Sequence, residues 1–99
     1  MKYNIDILRL ANNDLYEIYE YLSDFGENPL IKFKESFDKF IEQVSNMPYM
    51  FRESEHNSNY RKALIAFNYI AFYNVDKKNN TVIISRILHS KRNVESLLE

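Results

Sequence analysis

The 99-residue chain contains no cysteine, no tryptophan, one glycine and two prolines. Without cysteine it has no disulfide framework, no Cys-ligated zinc site and no thiol nucleophile. A single glycine excludes the glycine-rich loops that hold phosphates in P-loop and dinucleotide-binding proteins. No apolar run approaches the roughly 20 residues that a membrane-spanning helix needs, so we expect no membrane association. The lack of cysteine is compatible with a reducing compartment, and we expect a cytoplasmic protein.

The residues that are present predict one folded domain over residues 1–99. Hydrophobic residues make up 45% of the chain and aromatic residues 15%, which argues against disorder. A chain of this length fits one domain with a thin hydrophobic core.

The formal net charge of −1 conceals an uneven distribution. Residues 1–55 carry a net charge of −5, whereas residues 56–99 carry +4. Such an asymmetry indicates an anionic partner for the basic half. The alternative is that solvent-exposed strands and loops simply carry more lysine and arginine.

A short strand followed by two amphipathic helices is predicted for the first half of the chain. Residues 3–8 alternate apolar and polar side chains, which is the period of a strand. Apolar residues then recur at helical spacing in two stretches separated by a short break. Asn12 and Asn13 are predicted to cap the first helix, and Asn28 followed by Pro29 is predicted to open the second. Two helices joined by a short break form an antiparallel hairpin.

Strands are predicted for the second half, after a polar loop at residues 48–59. The runs 60–66, 69–75 and 81–88 are rich in aromatic and β-branched residues and are separated by turn residues. Their spacing predicts a three-strand antiparallel meander, and the tail, residues 89–99, has the spacing of a possible short C-terminal helix. The fold class is therefore α+β, with the helical hairpin on one face of the sheet.

A set of apolar, aromatic and charged positions follows in a characteristic order along nearly the whole chain. It consists of Ala11, Asp14, Leu15, Ile18, Tyr21 and Leu22 in the first helix, Met47-Pro48 after the second, Tyr60-Arg61 in the first strand of the meander, Tyr69, Phe72, Tyr73, Val75 and Asp76 in the second, and Thr81, Val82, Ile84, Arg86, Ile87, Leu88, His89, Arg92 and Asn93 at the end. This pattern resembles the RelE/ParE family of toxins from bacterial type II toxin–antitoxin modules.

The resemblance implies a partner and two alternative targets. The partner is a cognate antitoxin protein, part of which folds over an apolar groove of the toxin. ParE-like members inhibit DNA gyrase, whereas RelE-like members cut messenger RNA in the ribosomal A site. A third possibility is a non-toxic binding module. The resemblance implies no cofactor, and the two histidines lack the spacing of a metal site.

One departure from the RelE-like pattern favours a protein target. RelE-like nucleases carry an arginine directly after the aromatic residue that opens the central strand, and here Tyr69 is followed by Ile70. An aliphatic side chain cannot stabilise the charge of a phosphorane. If the chain is nevertheless a metal-independent endoribonuclease, the expected catalytic residues are Arg61 and Arg86 for the phosphate and His89 as general acid or base.

The target-binding residues expected from the resemblance are Arg61, Arg86, His89, Lys91 and Arg92. Arg61 and Arg86 are expected on the sheet face that the helices do not cover, where they could meet phosphates or acidic groups of a protein. The alternative for His89 is a capping or surface histidine, and for the cations a solvated face with weak ion pairs.

Overall fold

The computed structural model describes residues 2–92 and Leu97. Its elements follow the predicted order. They are β1 (Asn4–Ile7), α1 (Arg9–Ser23), α2 (Glu27–Asn46), β2 (Arg61–Ile65), a tight turn (Ala66–Asn68), β3 (Tyr69–Asp76) and β4 (Thr81–His89). The α+β class, the helical hairpin and the meander are confirmed. The possible C-terminal helix lies outside the described residues apart from Leu97.

The four strands form one sheet in the order β1-β4-β3-β2. The pairings β2–β3 and β3–β4 are antiparallel, as predicted, and β1 adds to β4 in parallel. The β1–β4 register ends where Ile7 meets Ile84. Among the described residues, the last part of β4 therefore has a strand partner on one side only.

The helices pack on one face of the sheet because each carries a single apolar stripe. The buried residues of this core are Ala11, Leu15, Ile18 and Leu22 from α1, Phe33, Phe37, Phe40 and Val44 from α2, and Ala63, Ile65, Ala71, Tyr73, Val82, Ile84 and Ile87 from the sheet. Burying each large apolar side chain contributes about 1.5 to 3 kcal/mol. The core thus fixes the hairpin against β4 and β3.

A smaller cluster lies on the opposite face of the sheet. Phe72 and Leu88 are buried there, and Tyr60, Ile70 and Leu97 pack against them. Ile70 therefore lies on the face turned away from the helices.

Both helices begin earlier than the asparagine signals predict. α1 follows Leu8 directly, without a side-chain cap, and Asn12 Nδ2 instead donates to the Ile7 carbonyl at 3.3 Å. The reason is that Leu8 N–H donates to the Ile84 carbonyl at 3.0 Å, so the chain turns into the helix as soon as β1 ends. α2 begins at Glu27 after Gly26, which places Pro29 inside its first turn.

Candidate functional site

Arg86 is held in a largely buried ion pair with Asp14 of α1. Its Nε and Nη2 donate to the two carboxylate oxygens of Asp14, each at 2.9 Å. The side chain of Arg86 is 16% exposed and that of Asp14 is 8% exposed. The hydrogen bonds to Asp14 raise the pKa of Arg86 above its usual value. The guanidinium is thus committed to an internal partner.

Asp14 also accepts a main-chain hydrogen bond at the edge of β4, where a neighbouring strand would otherwise accept it. Its Oδ2 accepts the main-chain N–H of Ile87 at 2.9 Å. This residue lies beyond the Ile7–Ile84 pair, where β1 no longer covers the edge. One carboxylate thereby accepts three hydrogen bonds from β4 and ties the first helix to the last strand.

Arg61 holds the chain that follows α2. It lies two residues before the buried Ala63 and four before the buried Ile65 in β2, so its side chain is on the same, helix-facing side and not on the opposite face as expected. Its Nη1 donates to the Phe51 carbonyl at 2.7 Å and to the Tyr49 carbonyl at 3.4 Å. Its guanidinium carbon lies 5.0 Å from the centroid of the Tyr49 ring.

Tyr73 supports the same segment from the neighbouring strand. Its hydroxyl donates to the Pro48 carbonyl at 2.8 Å. Burial raises the pKa of Tyr73 to about 12, while the positive charge of Arg61 and a hydrogen bond with the Phe51 main chain act in the opposite direction. Arg61 and Tyr73 together stabilise the loop end that carries Tyr49 and Phe51.

His89 stands at the end of β4, next to the β2–β3 turn. It pairs with Tyr69, and the two rings meet edge to face with centroids 5.2 Å apart. Its Nδ1 accepts the main-chain N–H of Lys91 at 3.2 Å. That hydrogen bond assigns the proton of the neutral ring to Nε2. Ser90 N–H donates to the Asn68 carbonyl at 2.8 Å, which joins this corner to the turn.

The three residues expected for a nuclease are not brought together. Arg61 pairs with Tyr73 and His89 pairs with Tyr69, four residues away along β3. That spacing corresponds to about 13 Å. Arg86 is turned to Asp14. The roles of all five candidate residues in target binding remain predictions.

An aromatic groove opens beside His89. Its cavity volume is about 630 Å³. It is lined by Tyr21, Leu22, Phe25, Pro29, Phe67, Tyr69 and His89. Three of its aromatic side chains are substantially exposed, with Tyr21 at 57%, Phe25 at 63% and Phe67 at 40%. Exposed apolar side chains gathered around one concavity are typical of a binding surface.

This groove was not predicted from the sequence. The available signal was the spacing of Tyr21 and Phe25, four residues apart and both outside the buried stripe of α1. Their rings meet edge to face, with centroids 5.2 Å apart. Phe67 gave no signal, because its position depends on the conformation of the turn.

A charged niche adjoins the aromatic groove. It has a volume of about 190 Å³, and Glu17, Asp14 and Arg92 line it together with His89. His89, Tyr21 and Tyr69 line both cavities. Lys91 and Arg92 are exposed, and neither forms an ion pair with any residue in 2–92 or with Leu97.

No helix in the part of the chain that the structure describes is long and apolar enough to cross a membrane. Within the same residues, no three His, Asp or Glu side chains are grouped so that they could share a metal ion.

The family model described as the ParE toxin of the type II toxin–antitoxin system parDE matches residues 5–94. The chain belongs to this toxin family. It is accordingly a type II toxin of the RelE/ParE superfamily, as the order of its motifs predicts. No single curated protein matches the chain significantly.

Solved structures of toxins share the fold of this ParE-family chain. The chromosomal ParDE system of Pseudomonas aeruginosa matches with a TM-score of 0.72 at 17% identity, covering 89% of this chain and 96% of that one. The toxin–antitoxin complex RelBE2 of Mycobacterium tuberculosis matches with a TM-score of 0.65 at 20% identity, covering 90% and 99%. A double mutant of Escherichia coli RelE in the free state matches with a TM-score of 0.66 at 15% identity, covering 98% and 93%.

Proposed function

We propose that this ParE-family toxin inhibits growth by binding a protein target such as DNA gyrase, and that a cognate antitoxin neutralises it. The observation that supports a protein target is the internal use of the two strand arginines. Arg86 is bound to Asp14, and Arg61 to the carbonyls of Tyr49 and Phe51. Neither guanidinium is available beside His89.

Metal-free RNA cleavage needs cations against the scissile phosphate and groups that move protons at the two ribose oxygens. Ile70, at the position where RelE-like nucleases carry arginine, lies with the cluster on the opposite face of the sheet. An apolar groove with exposed cations beside it instead suits a protein surface, in which aromatic anchors are surrounded by polar contacts.

The target-binding surface of this proposal consists of His89, Lys91 and Arg92 at the end of β4. Arg61 and Arg86 act indirectly, by holding the loop after α2 and the edge of β4. The chain acts as one domain in the cytoplasm, where such a target is found.

The antitoxin is proposed as the partner by analogy with the fold. A similar structure from Mycobacterium tuberculosis is a toxin–antitoxin complex. The aromatic groove offers this chain's partner a concave apolar surface next to the exposed cations Lys91 and Arg92.

The decisive experiment compares the two targets with one protein preparation. We expect the purified toxin to inhibit gyrase supercoiling and to trap cleaved DNA, while translated messenger RNA stays intact. Codon-dependent cuts in ribosome-bound message, with normal gyrase activity, would contradict the proposal. Growth that continues normally under induced expression would instead identify a non-toxic binding module.

One observation favours the endoribonuclease as second candidate. His89 lines the charged niche together with Arg92, and its Nδ1 accepts the main-chain N–H of Lys91. A histidine beside cations suits general acid–base catalysis at a phosphate. In that case, His89→Ala abolishes message cleavage and leaves the fold intact. Full toxicity of His89→Ala and of Arg61→Ala would eliminate the nuclease.

A further inference from the structure

Phe67 occupies a backbone conformation that aromatic residues rarely adopt. It lies in the β2–β3 turn with φ 63° and ψ 30°, and Asn68 follows with φ 64°. Asparagine tolerates this left-handed region well, whereas a bulky side chain is strained in it. Asparagine or glycine at position 67 would make the same turn without strain.

The turn is fixed from both sides, so the strain cannot relax. Ala66 N–H donates to Ser36 Oγ of α2 at 3.0 Å. The Asn68 carbonyl accepts the N–H of Ser90 at 2.8 Å. Ile65 and Tyr69, which precede and follow the turn, pair with each other. Strained residues that a rigid surrounding maintains are concentrated at binding sites and switches.

The strained side chain lines the aromatic groove and stays 40% exposed. Phe25 and Tyr21 expose their rings around the same cavity. Lys91 and Arg92 follow His89 two and three residues along the chain, and Arg92 lines the adjoining niche together with Asp14 and Glu17. Neither cation forms an ion pair with any residue in 2–92 or with Leu97. The groove therefore has an apolar lining, and two exposed cations lie beside the end that His89 forms.

We propose that Phe67 is an affinity-determining anchor for the antitoxin. The segment that it holds is acidic and places an apolar side chain in the aromatic groove. The inference rests on the proposed function, because it presupposes an antitoxin. An acidic segment fits because it would pair with Lys91 and Arg92 beside the groove, while the aromatic rings bury its apolar residue.

Phe67→Asn tests the anchor, since asparagine suits the turn and removes the ring. We expect the affinity for the purified antitoxin, measured by calorimetry, to fall at least tenfold. The melting temperature of the free toxin should stay within about 4 °C or rise, because relief of strain offsets the lost contacts. Phe67→Tyr, which keeps the ring, should bind within threefold of the unaltered chain.

Leu64→Asn is the matched control. Leu64 is 71% exposed and precedes the same turn. It points away from the helix-facing side, because its neighbours Ala63 and Ile65 lie in the main core. We expect no change in antitoxin affinity. If Phe67 has only a structural role, Phe67→Asn will instead lower the melting temperature and leave the antitoxin affinity of the folded protein unchanged.

The acidic character of the segment is tested by reversing the charges of Lys91 and Arg92. Lys91→Glu combined with Arg92→Glu should slow antitoxin association at least tenfold, and added salt should weaken binding to the unaltered toxin. Insensitivity to both changes would overturn the acidic assignment. Equal affinities of the unaltered toxin and Phe67→Asn would overturn the anchor alone. Failure of the unaltered toxin to bind its antitoxin would contradict the proposed function and the inference together.

Discussion

Asp14 is the charged residue that joins α1 to β4. It accepts two hydrogen bonds from Arg86 and one from the main chain of Ile87, all at 2.9 Å. Removing one partner of a buried ion pair leaves the other charge without compensation. Asp14→Ala should therefore lower the free energy of unfolding by about 3 to 5 kcal/mol, as measured by urea denaturation.

Two further variants separate the ion pair from general effects of charge. Lys2→Ala removes an exposed ion pair with Glu42 and should change stability by less than about 1 kcal/mol. The double variant Asp14→Leu with Arg86→Met should recover much of the lost stability, because no buried charge remains unpaired. A double variant as unstable as Asp14→Ala would show that the Ile87 hydrogen bond dominates.

Tyr73 makes stability depend on pH in the alkaline range. Its pKa is raised from 10.0 to about 12 by burial. The folded state therefore keeps its proton longer than the unfolded state, so this contribution is complete below pH 10 and is lost as the pH rises through 12. A two-unit shift corresponds to about 2 to 3 kcal/mol at most.

Tyr73→Phe isolates that contribution. It removes the hydrogen bond to the Pro48 carbonyl and should cost about 1 kcal/mol at neutral pH. Between pH 10 and 12, the free energy of unfolding of this variant should fall less steeply than that of the unaltered chain. If the free energies of unfolding of both proteins, measured by urea denaturation, fall equally steeply between pH 10 and 12, the pH dependence does not come from Tyr73.

Among individual residues, some features could be predicted from the sequence and others could not. The replacement of the RelE-like arginine by Ile70 is readable from the pattern after Tyr69. The partner of Arg86 is not, because Asp14 lies 72 residues away and meets it only through the packing of α1 on β4. Likewise, the contact of Arg61 with the carbonyls of Tyr49 and Phe51 depends on how the loop folds back.

At the scale of elements, the connection between the two helices depends on Gly26. Its backbone has φ 107° and ψ −179°, a region that is essentially reserved for glycine. A Cβ built there would meet no atom within 4 Å, so the cost of any side chain is purely conformational. Gly26→Ala should lower stability by about 1 to 3 kcal/mol, visible as a reduced melting temperature.

Asp24→Ala is the appropriate comparison within the same connection. Asp24 has an ordinary helical backbone with φ −65° and ψ −20°. Its replacement should change stability by no more than about 0.5 kcal/mol. If the two variants melt at the same temperature, the backbone of Gly26 is not under constraint.

The existence of the elements could be predicted, but their starting points could not. The apolar periodicity of α1 and α2 reflects the burial that holds them, so it identified both helices. Asn12 was wrongly predicted as a cap of α1, because capping propensity is weaker than the pairing of β1 with β4. The alternation of β1 predicted a strand, yet nothing local indicated that it would join the sheet beside β4.

At the scale of the whole molecule, the fold determines where the positive charge of residues 56–99 lies. Of the cations in the basic half, Lys91 and Arg92 lie at one end of β4 and Lys77 and Lys78 precede its other end, about 26 Å away. Arg61 and Arg86 are used internally. Among the residues that the structure describes, the exposed cations of this half without an ion pair thus lie at two ends of the sheet, and the end with Lys91 and Arg92 adjoins the aromatic groove.

That division gives a matched pair of charge variants. Lys91→Ala with Arg92→Ala should raise the toxin concentration needed for half-inhibition of gyrase about tenfold, because two exposed contacts of up to about 1 kcal/mol each are lost. Lys77→Ala with Lys78→Ala removes the same net charge from the far end and should leave inhibition unchanged. Both pairs should unfold at similar urea concentrations, since all four side chains are exposed. Equal loss of inhibition in the two double variants would mean that net charge, and not the corner at His89, determines binding.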